Sequence, residues 1–135
     1  MPYRVIYGDT DLAGHMYYGT YARLYEAARA ELLRASGATY RDWEHRFGVM
    51  LPVRVYHAEY MQPAYYDDLL MVHAWLEALT AVRFRFGYRI EREAQVVGTA
   101  MSEHPVVDVK TRRPVRRGLE LAASCGLVVW RALEA

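Results

Sequence analysis

Two hydrophobic periods divide the chain. Over residues 18–36 apolar positions recur every three or four: Tyr21, Leu24, Tyr25, Ala28 and Leu32 share one face of a long helix. Glu26 with Arg29, and Glu31 with Arg34, are i, i+3 pairs on that helix. Gly37 is placed to end it in a left-handed conformation. Thr39, with Asp42 three residues on, resembles a capping box with a shortened acid, opening a shorter helix that Gly48 closes. From Val49 the period falls to two. Between Val82 and Ile90 every even position is apolar and three of the four intervening ones are Arg, the pattern of an antiparallel strand with one wet face. Val53 to Met61 and Leu69 to Leu79 form two further strands, with Asp67-Asp68 turning into the second. Gln95 to Val109 is the last long strand, and Gly98 inside it signals a bulge or a close backbone approach.

Tyr3 to Tyr7 is a short β-like segment at the start. Leu119, Ala122, Gly126, Leu127, Trp130 and Leu133 fit a C-terminal amphipathic helix. The order is strand, long helix, short helix, four long strands, helix. That is an α+β pattern in one domain over residues 1–135, with the long helix hiding its apolar face against the sheet. The other sheet face carries Arg83, Arg85 and Arg89 with several Tyr, and pairing with a second subunit suits it.

A hydrophobic content of 53% in 135 residues describes a folded chain with a sizeable core. The net charge of +1 gives no general attraction to nucleic acid or to an anionic membrane. No apolar run is long enough to span a bilayer, and the N-terminus lacks the layout of a secretory signal. Cys125 is the only cysteine, so no internal disulfide can form; it reads as a small core residue, and the expected location is cytoplasmic. Twelve tyrosines point to a half-polar cleft or to interfaces, since Tyr packs a ring and keeps a polar tip.

The chemistry concentrates in Asp9-Thr10-Asp11-Leu12-Ala13-Gly14-His15-Met16, between the first strand and the long helix. Helix starts offer free N–H groups and positive potential. A carboxylate beside such donors is what acyl transfer requires: one group to attack or deprotonate water, others to hold an oxyanion. Capping is the plainer role for Asp-Thr-Asp, but Gly14, His15 and Met16 separate Asp11 from the helix by more than a capping box allows. His15 has three readings: it orients Asp11 or its water, it is a structural histidine, or it is the general base. Asp9 shapes the loop or orders water. His57 with Glu59, and His73 with Glu77, lie on two strands, but no tight ligand pair of known spacing appears, so no metal is expected. Lys110, Arg112, Arg113, Arg116 and Arg117 form a basic cluster that is either a solvated loop or a phosphate contact.

The run Asp9-x-Asp11-x-x-Gly14-His15-Met16-x-x-x-x-Tyr21-x-x-x-x-Glu26-x-x-Arg29 resembles the opening of hotdog-fold acyl-CoA thioesterases. The nearest branch is the 4-hydroxybenzoyl-CoA thioesterase family with its short-chain acyl-CoA relatives. Val106-Val107-Asp108-x-x-Thr111-x-Arg113-Pro114 resembles that family's last strand and exit turn. The resemblance implies a hotdog fold, a long central helix wrapped by a curled antiparallel sheet, and hydrolysis of an acyl-CoA without a cofactor beyond the substrate's own coenzyme A. It assigns the catalytic carboxylate, as nucleophile or general base, to Asp11 and the carbonyl-polarising donor to the Tyr18 backbone N–H. It places Tyr7 and Tyr18 in the pocket; Gly14 is a further substrate-binding candidate, and for such a substrate the phosphate contact of Arg112 and Arg113 would be to coenzyme A, with a solvated loop as the alternative. Many short-chain relatives have His where this chain has Tyr18. It also implies a homodimer as the minimal unit, associating into a homotetramer. The alternatives are a non-catalytic acyl-thioester binding protein and a hotdog dehydratase, which needs a His–carboxylate pair.

Overall fold

The computed structural model describes residues 1–130. Strand β1 (Pro2–Arg4) leads through a 3₁₀ turn (Tyr7–Asp9) to helix α1 (Tyr18–Ala35). Helix α2 (Tyr40–Asp42) widens into a π-helical turn (Trp43–Phe47). Strands β2 (Val49–Met50), β3 (Val55–Tyr60), β4 (Leu69–Leu79), β5 (Arg83–Arg92), β6 (Gln95–Pro105) and β7 (Val107–Asp108) follow, then helix α3 (Gly118–Ala123). Five strands form one antiparallel sheet in the order β1-β4-β5-β6-β3, while β2 pairs with β7. No helix among the described residues is long and apolar enough to cross a membrane.

Helix α1 lies in the curve of the sheet. It buries Tyr21, Leu24, Tyr25 and Ala28, as its period requires, together with Leu33. Its end is a Schellman motif: Gly37 at φ +99° donates to the Arg34 carbonyl and Ala38 to that of Leu33. Thr39 caps α2 by accepting the Asp42 N–H at 3.0 Å, and Gly48 closes the π turn at φ +64°. Facing α1, β5 buries Phe84, Phe86, Tyr88 and Ile90, each contributing about 1.5–3 kcal/mol by leaving water. Bulges between Leu76 and Ala78, and after Ile90, bend the long strands around the helix. Gly98 serves both expected purposes. It sits at the second bulge, and a Cβ there would lie 3.2 Å from the Tyr25 hydroxyl and 3.3 Å from the Glu59 carbonyl.

The outer arginines find carboxylates within the sheet. Arg85 meets Glu103 at 2.8 Å, Arg83 meets Glu103 at 3.6 Å, and Arg89 meets Glu91 at 2.8 Å. The stripe therefore does not itself demand a partner chain.

Four expectations need correction. The first strand ends at Arg4, because Asp9 draws the chain into a 3₁₀ turn. The last long strand breaks at Val106, and Val107–Asp108 leaves the sheet to pair with β2. Glu26 and Arg29 do not pair: Arg29 turns inward, while Glu31 and Arg34 do form their ion pair. The C-terminal helix stops at Ala123. There Gly126 donates to the Ser36 carbonyl at 2.7 Å, and the Val129–Trp130 segment lies along β4, with Trp130 donating to the Leu76 carbonyl at 2.9 Å. Tertiary bonds thus outcompete the helical period. Cys125 falls beyond the helix and is half-buried, and Leu133 lies outside the described residues.

A chain of buried polar groups crosses the core. The His104 Nδ1 faces the Leu51 carbonyl at 3.0 Å, which can only accept, so the ring proton sits on Nδ1. Burial holds the imidazole neutral, with its pKa down at about 4. Its Nε2 therefore accepts from the Ser102 hydroxyl at 2.7 Å, Ser102 accepts from the Tyr88 hydroxyl at 2.6 Å, and Tyr88 accepts from Arg29 at 3.0 Å. The unfolded chain takes up this proton as pH falls below His's ordinary value of about 6.5, while the folded chain resists until about 4. Stability should therefore fall between pH 6.5 and 4 by up to about 3 kcal/mol from this group. Urea denaturation across that range should show a shallower fall in His104→Gln than in the native chain. Parallel curves would contradict the buried neutral assignment.

Candidate active site

The two acids of the opening motif are built for different tasks. Asp9 is buried at the corner between β1 and α1. Its carboxylate accepts from the Tyr3 hydroxyl at 2.6 Å, the Ile6 N–H at 3.0 Å and Arg23 at 2.6 Å. Its carbonyl accepts from the Tyr17 N–H at 2.8 Å and the Thr20 hydroxyl at 3.3 Å. Its loop-shaping role is thus explicit, and its carboxylate does not line the cavity described below.

Asp11 stands at the start of a short reversal that Thr10 and Met16 close by pairing antiparallel. The Asp11 N–H donates to the His15 carbonyl at 3.1 Å, and Gly14, at φ +85°, donates to the Asp11 carbonyl at 3.0 Å. Gly14 is there because a side chain is strained at that φ. One carboxylate oxygen accepts the Ala13 N–H at 2.9 Å. The other has no hydrogen-bond donor among the described residues, and the group is exposed. Met16 anchors the far side of the reversal, donating to the Ala64 carbonyl at 2.7 Å.

Helix α1 then begins. Tyr17, in extended conformation, spends its N–H on Asp9, so the first N–H groups left over are those of Tyr18 and Gly19. Neither finds an acceptor among the described residues, and the first turn holds no acidic side chain. The start of α1, with its free donors and the positive end of its dipole, thus lies beside Asp11.

That space is an open cavity of about 330 Å³ lined by Asp11, His15, Met16, Tyr18, Tyr21 and the segment Tyr60–Pro63. Tyr21 and Tyr60 meet edge to face at 4.9 Å, and the Tyr60 hydroxyl reaches the Tyr18 carbonyl at 3.4 Å. Burial pushes the Tyr21 phenol above its ordinary pKa and keeps it neutral. His15 borders the cavity with Nδ1 3.3 Å from the Met16 carbonyl, and its ring makes no hydrogen bond to the Asp11 carboxylate.

The fold therefore brings Asp11, His15 and Tyr18 together. Tyr7 and Gly14 adjoin them in the chain but do not line the cavity; Tyr7 instead stacks on Tyr66 at 3.8 Å and is largely exposed. Arg112 and Arg113 lie at the opposite end of the β3–β6 pair. Arg112 reaches toward Met50 beside β7, whereas Tyr60 pairs with Gly98 at the cavity end. Sequence reasoning missed the Tyr60–Pro63 wall. Its only signal was a tyrosine followed by proline at a strand end, and the β3 register is what carries it over α1. His57 sits 3.7 Å from Glu59 on β3, but β5 and β6 separate it from His73 on β4 by about 14 Å, too far to share an ion. No group of three metal-ligating side chains occurs among the described residues.

Residues 5–123 match the model of the thioesterase-like superfamily. A 1,4-dihydroxy-2-naphthoyl-CoA hydrolase of Synechococcus elongatus is 33% identical over 112 residues, covering 82% of each chain. The chain belongs to the thioesterase-like superfamily. Another relative, the acyl-CoA thioesterase YbgC of Haemophilus influenzae, is 29% identical over 91% of this chain and 90% of its own. Among solved structures, a DHNA-CoA thioesterase from Staphylococcus aureus superposes with a TM-score of 0.82 at 27% identity, covering 87% of this chain and 78% of that one. The hotdog fold expected from the sequence is the fold of this thioesterase-like chain.

The two acids should separate cleanly in stability. Asp9→Ala leaves the Tyr3 hydroxyl and Ile6 N–H without their acceptor and should cost about 2–4 kcal/mol. Asp11→Ala, at an exposed turn, should cost no more than about 1 kcal/mol. Chemical denaturation of both variants checks this, and equal losses would contradict the division of roles.

Proposed function

We propose that this protein hydrolyses an acyl-CoA thioester to a free acid and coenzyme A at the Asp11 cavity. The observation that carries the reading is a cavity lined by both Asp11, one of whose carboxylate oxygens has no donor among the described residues, and Tyr18, whose N–H has no acceptor among them. The thioester oxygen accepts from the Tyr18 N–H, which polarises the carbonyl and gains strength as negative charge develops. The free Asp11 oxygen attacks the carbonyl carbon, or removes a proton from the water that does. Water supplies hydroxyl to the acyl group and a proton to the coenzyme A sulfur. Met61, Pro63 and the tyrosine rings pack the acyl group, and the relatives' named substrates, acyl-CoA and 1,4-dihydroxy-2-naphthoyl-CoA, belong to this class. His15 is placed to orient attacking water.

The reading includes a homodimer as the working unit. Among the described residues strand β3 is an open sheet edge with Val55, Tyr56 and Tyr60 exposed and Tyr60 at the cavity, and pairing with a second copy would cover it. Arg112 and Arg113, remote from Asp11 within one chain, would then serve coenzyme A across the interface. No metal or cofactor takes part, and the enzyme works in the cytoplasm.

Asp11→Asn should lower kcat about 100-fold or more in an assay of free thiol release from a panel of acyl-CoAs. Full activity in a folded Asp11→Asn protein overturns the assignment. Tyr18 offers a sharper test, because it is the first helical residue, where proline is tolerated, and Tyr17 already has a φ of −62° and ψ of 138° that suit a following proline. Tyr18→Pro should fold yet lose about 100-fold in kcat, whereas Tyr18→Ala keeps the N–H and should lose far less. Equal rates in the two variants would remove the N–H from the mechanism.

A further inference from the structure

A second cavity, of about 470 Å³, lies farther along α1 from the Asp11 site, between the helix and β3, β5 and β6. Ala22, Tyr25, Arg29, Tyr56, Tyr88 and Ser102 line it. Tyr21 and Tyr25 are one helical turn apart, and Tyr56 and Tyr60 share a face of β3, so the walls of the two cavities are continuous.

Arg29 is the unusual group here. It is nine-tenths buried, and no carboxylate among the described residues balances its fixed charge: its two hydrogen bonds go to the phenol oxygens of Tyr40 and Tyr88, both at 3.0 Å. A guanidinium carries five N–H donors, which leaves it with spare ones. A buried cation without an anion is costly, and an anion is the usual remedy. The other charged groups at this cavity do not supply it. Arg23 at the rim is held by Asp9, and Glu26 at the rim is exposed and makes no ion pair with Arg29. The proton chain from Tyr88 through Ser102 to His104 runs away from the cavity, so those hydroxyl protons are already committed. The donors left for a ligand include the guanidinium and the Tyr25 hydroxyl, which is buried with no partner among the described residues, and the fixed charge of the guanidinium selects an acceptor with negative charge.

We propose that this cavity binds a carboxylate on Arg29, and that the carboxylate is the far end of the acyl group whose thioester sits at Asp11. The inference rests on the thioesterase reading and specifies its substrate class: CoA thioesters of dicarboxylic acids. The helical rise puts the Cα of Arg29 about 16 Å beyond that of Tyr18, and the side chain leans back toward the helix start by up to about one turn, so a medium-length chain bridges them.

The test compares CoA thioesters of matched length ending in a methyl or in a carboxylate, across a series of chain lengths. The native enzyme should prefer the carboxylate-ended series by about tenfold or more in kcat/KM at its best length, the scale of one charge-assisted contact. Arg29→Gln should bring that ratio to near one, mostly through KM. A native preference for methyl-ended chains, or a ratio unmoved by Arg29→Gln, overturns the proposal. Should Arg29→Gln not fold, the native ratio decides alone. If no thioester is hydrolysed, the Asp11 reading fails separately. Calorimetry of the native protein with free suberate then decides this one: binding supports a carboxylate site, and no binding overturns it.

Discussion

The corner between β1 and α1 depends on one buried carboxylate. Asp9 gathers the Tyr3 hydroxyl, the Ile6 N–H and Arg23 on its side chain, and the Tyr17 N–H and Thr20 hydroxyl on its carbonyl. These five bonds set where the chain leaves the first strand and where the long helix starts. Because Tyr17 gives its N–H to Asp9, the next donor, that of Tyr18, is the first one without an acceptor among the described residues. The chemistry proposed at Asp11 would therefore take its geometry from the neighbouring carboxylate of Asp9. The six residues from Asp11 to Met16 act as a hinged bracket, closed by the Gly14 turn at one end and by the Met16 bond to Ala64 at the other.

Much of the fold was legible because two periods do not mimic each other. A three-four pattern cannot place Tyr21, Leu24, Tyr25 and Ala28 on one side of a strand, and the alternation through Phe84, Phe86, Tyr88 and Ile90 cannot do so on a helix. Turn chemistry was equally readable: Gly37 and Gly48 stop helices where a positive φ is needed. Expectation failed where long-range bonds overruled local preference. The segment after Ala123 has a helical period, yet the Ser36 carbonyl holds Gly126 in a turn and the Leu76 carbonyl draws Trp130 alongside β4. The pairing of Glu26 with Arg29 is a reasonable surface habit, but no surface rule predicts a cation drawn inward by two phenols.

The lining of the candidate cavity was legible to the same depth. Asp11, His15 and Tyr18 are near in sequence, so a strand-to-helix turn brings them together whatever the rest does. Tyr60 to Pro63 were invisible, because only the register of β3 against β6 and the curl of the sheet carry them across α1. The arginines at 112 and 113 show the reverse case. Their type suits phosphate, but the length of the sheet keeps them from Asp11 within one chain, so any contact with coenzyme A depends on a second copy.

The central claim is geometric: the thioester oxygen sits on the Tyr18 N–H with Asp11 across the carbonyl carbon. A crystal structure of the Asp11→Asn variant holding an intact acyl-CoA tests it directly. The account predicts the thioester oxygen within about 3 Å of the Tyr18 nitrogen, with the residue-11 side chain facing the carbonyl carbon. A thioester bound with its oxygen away from the start of α1, or outside this cavity, would contradict it.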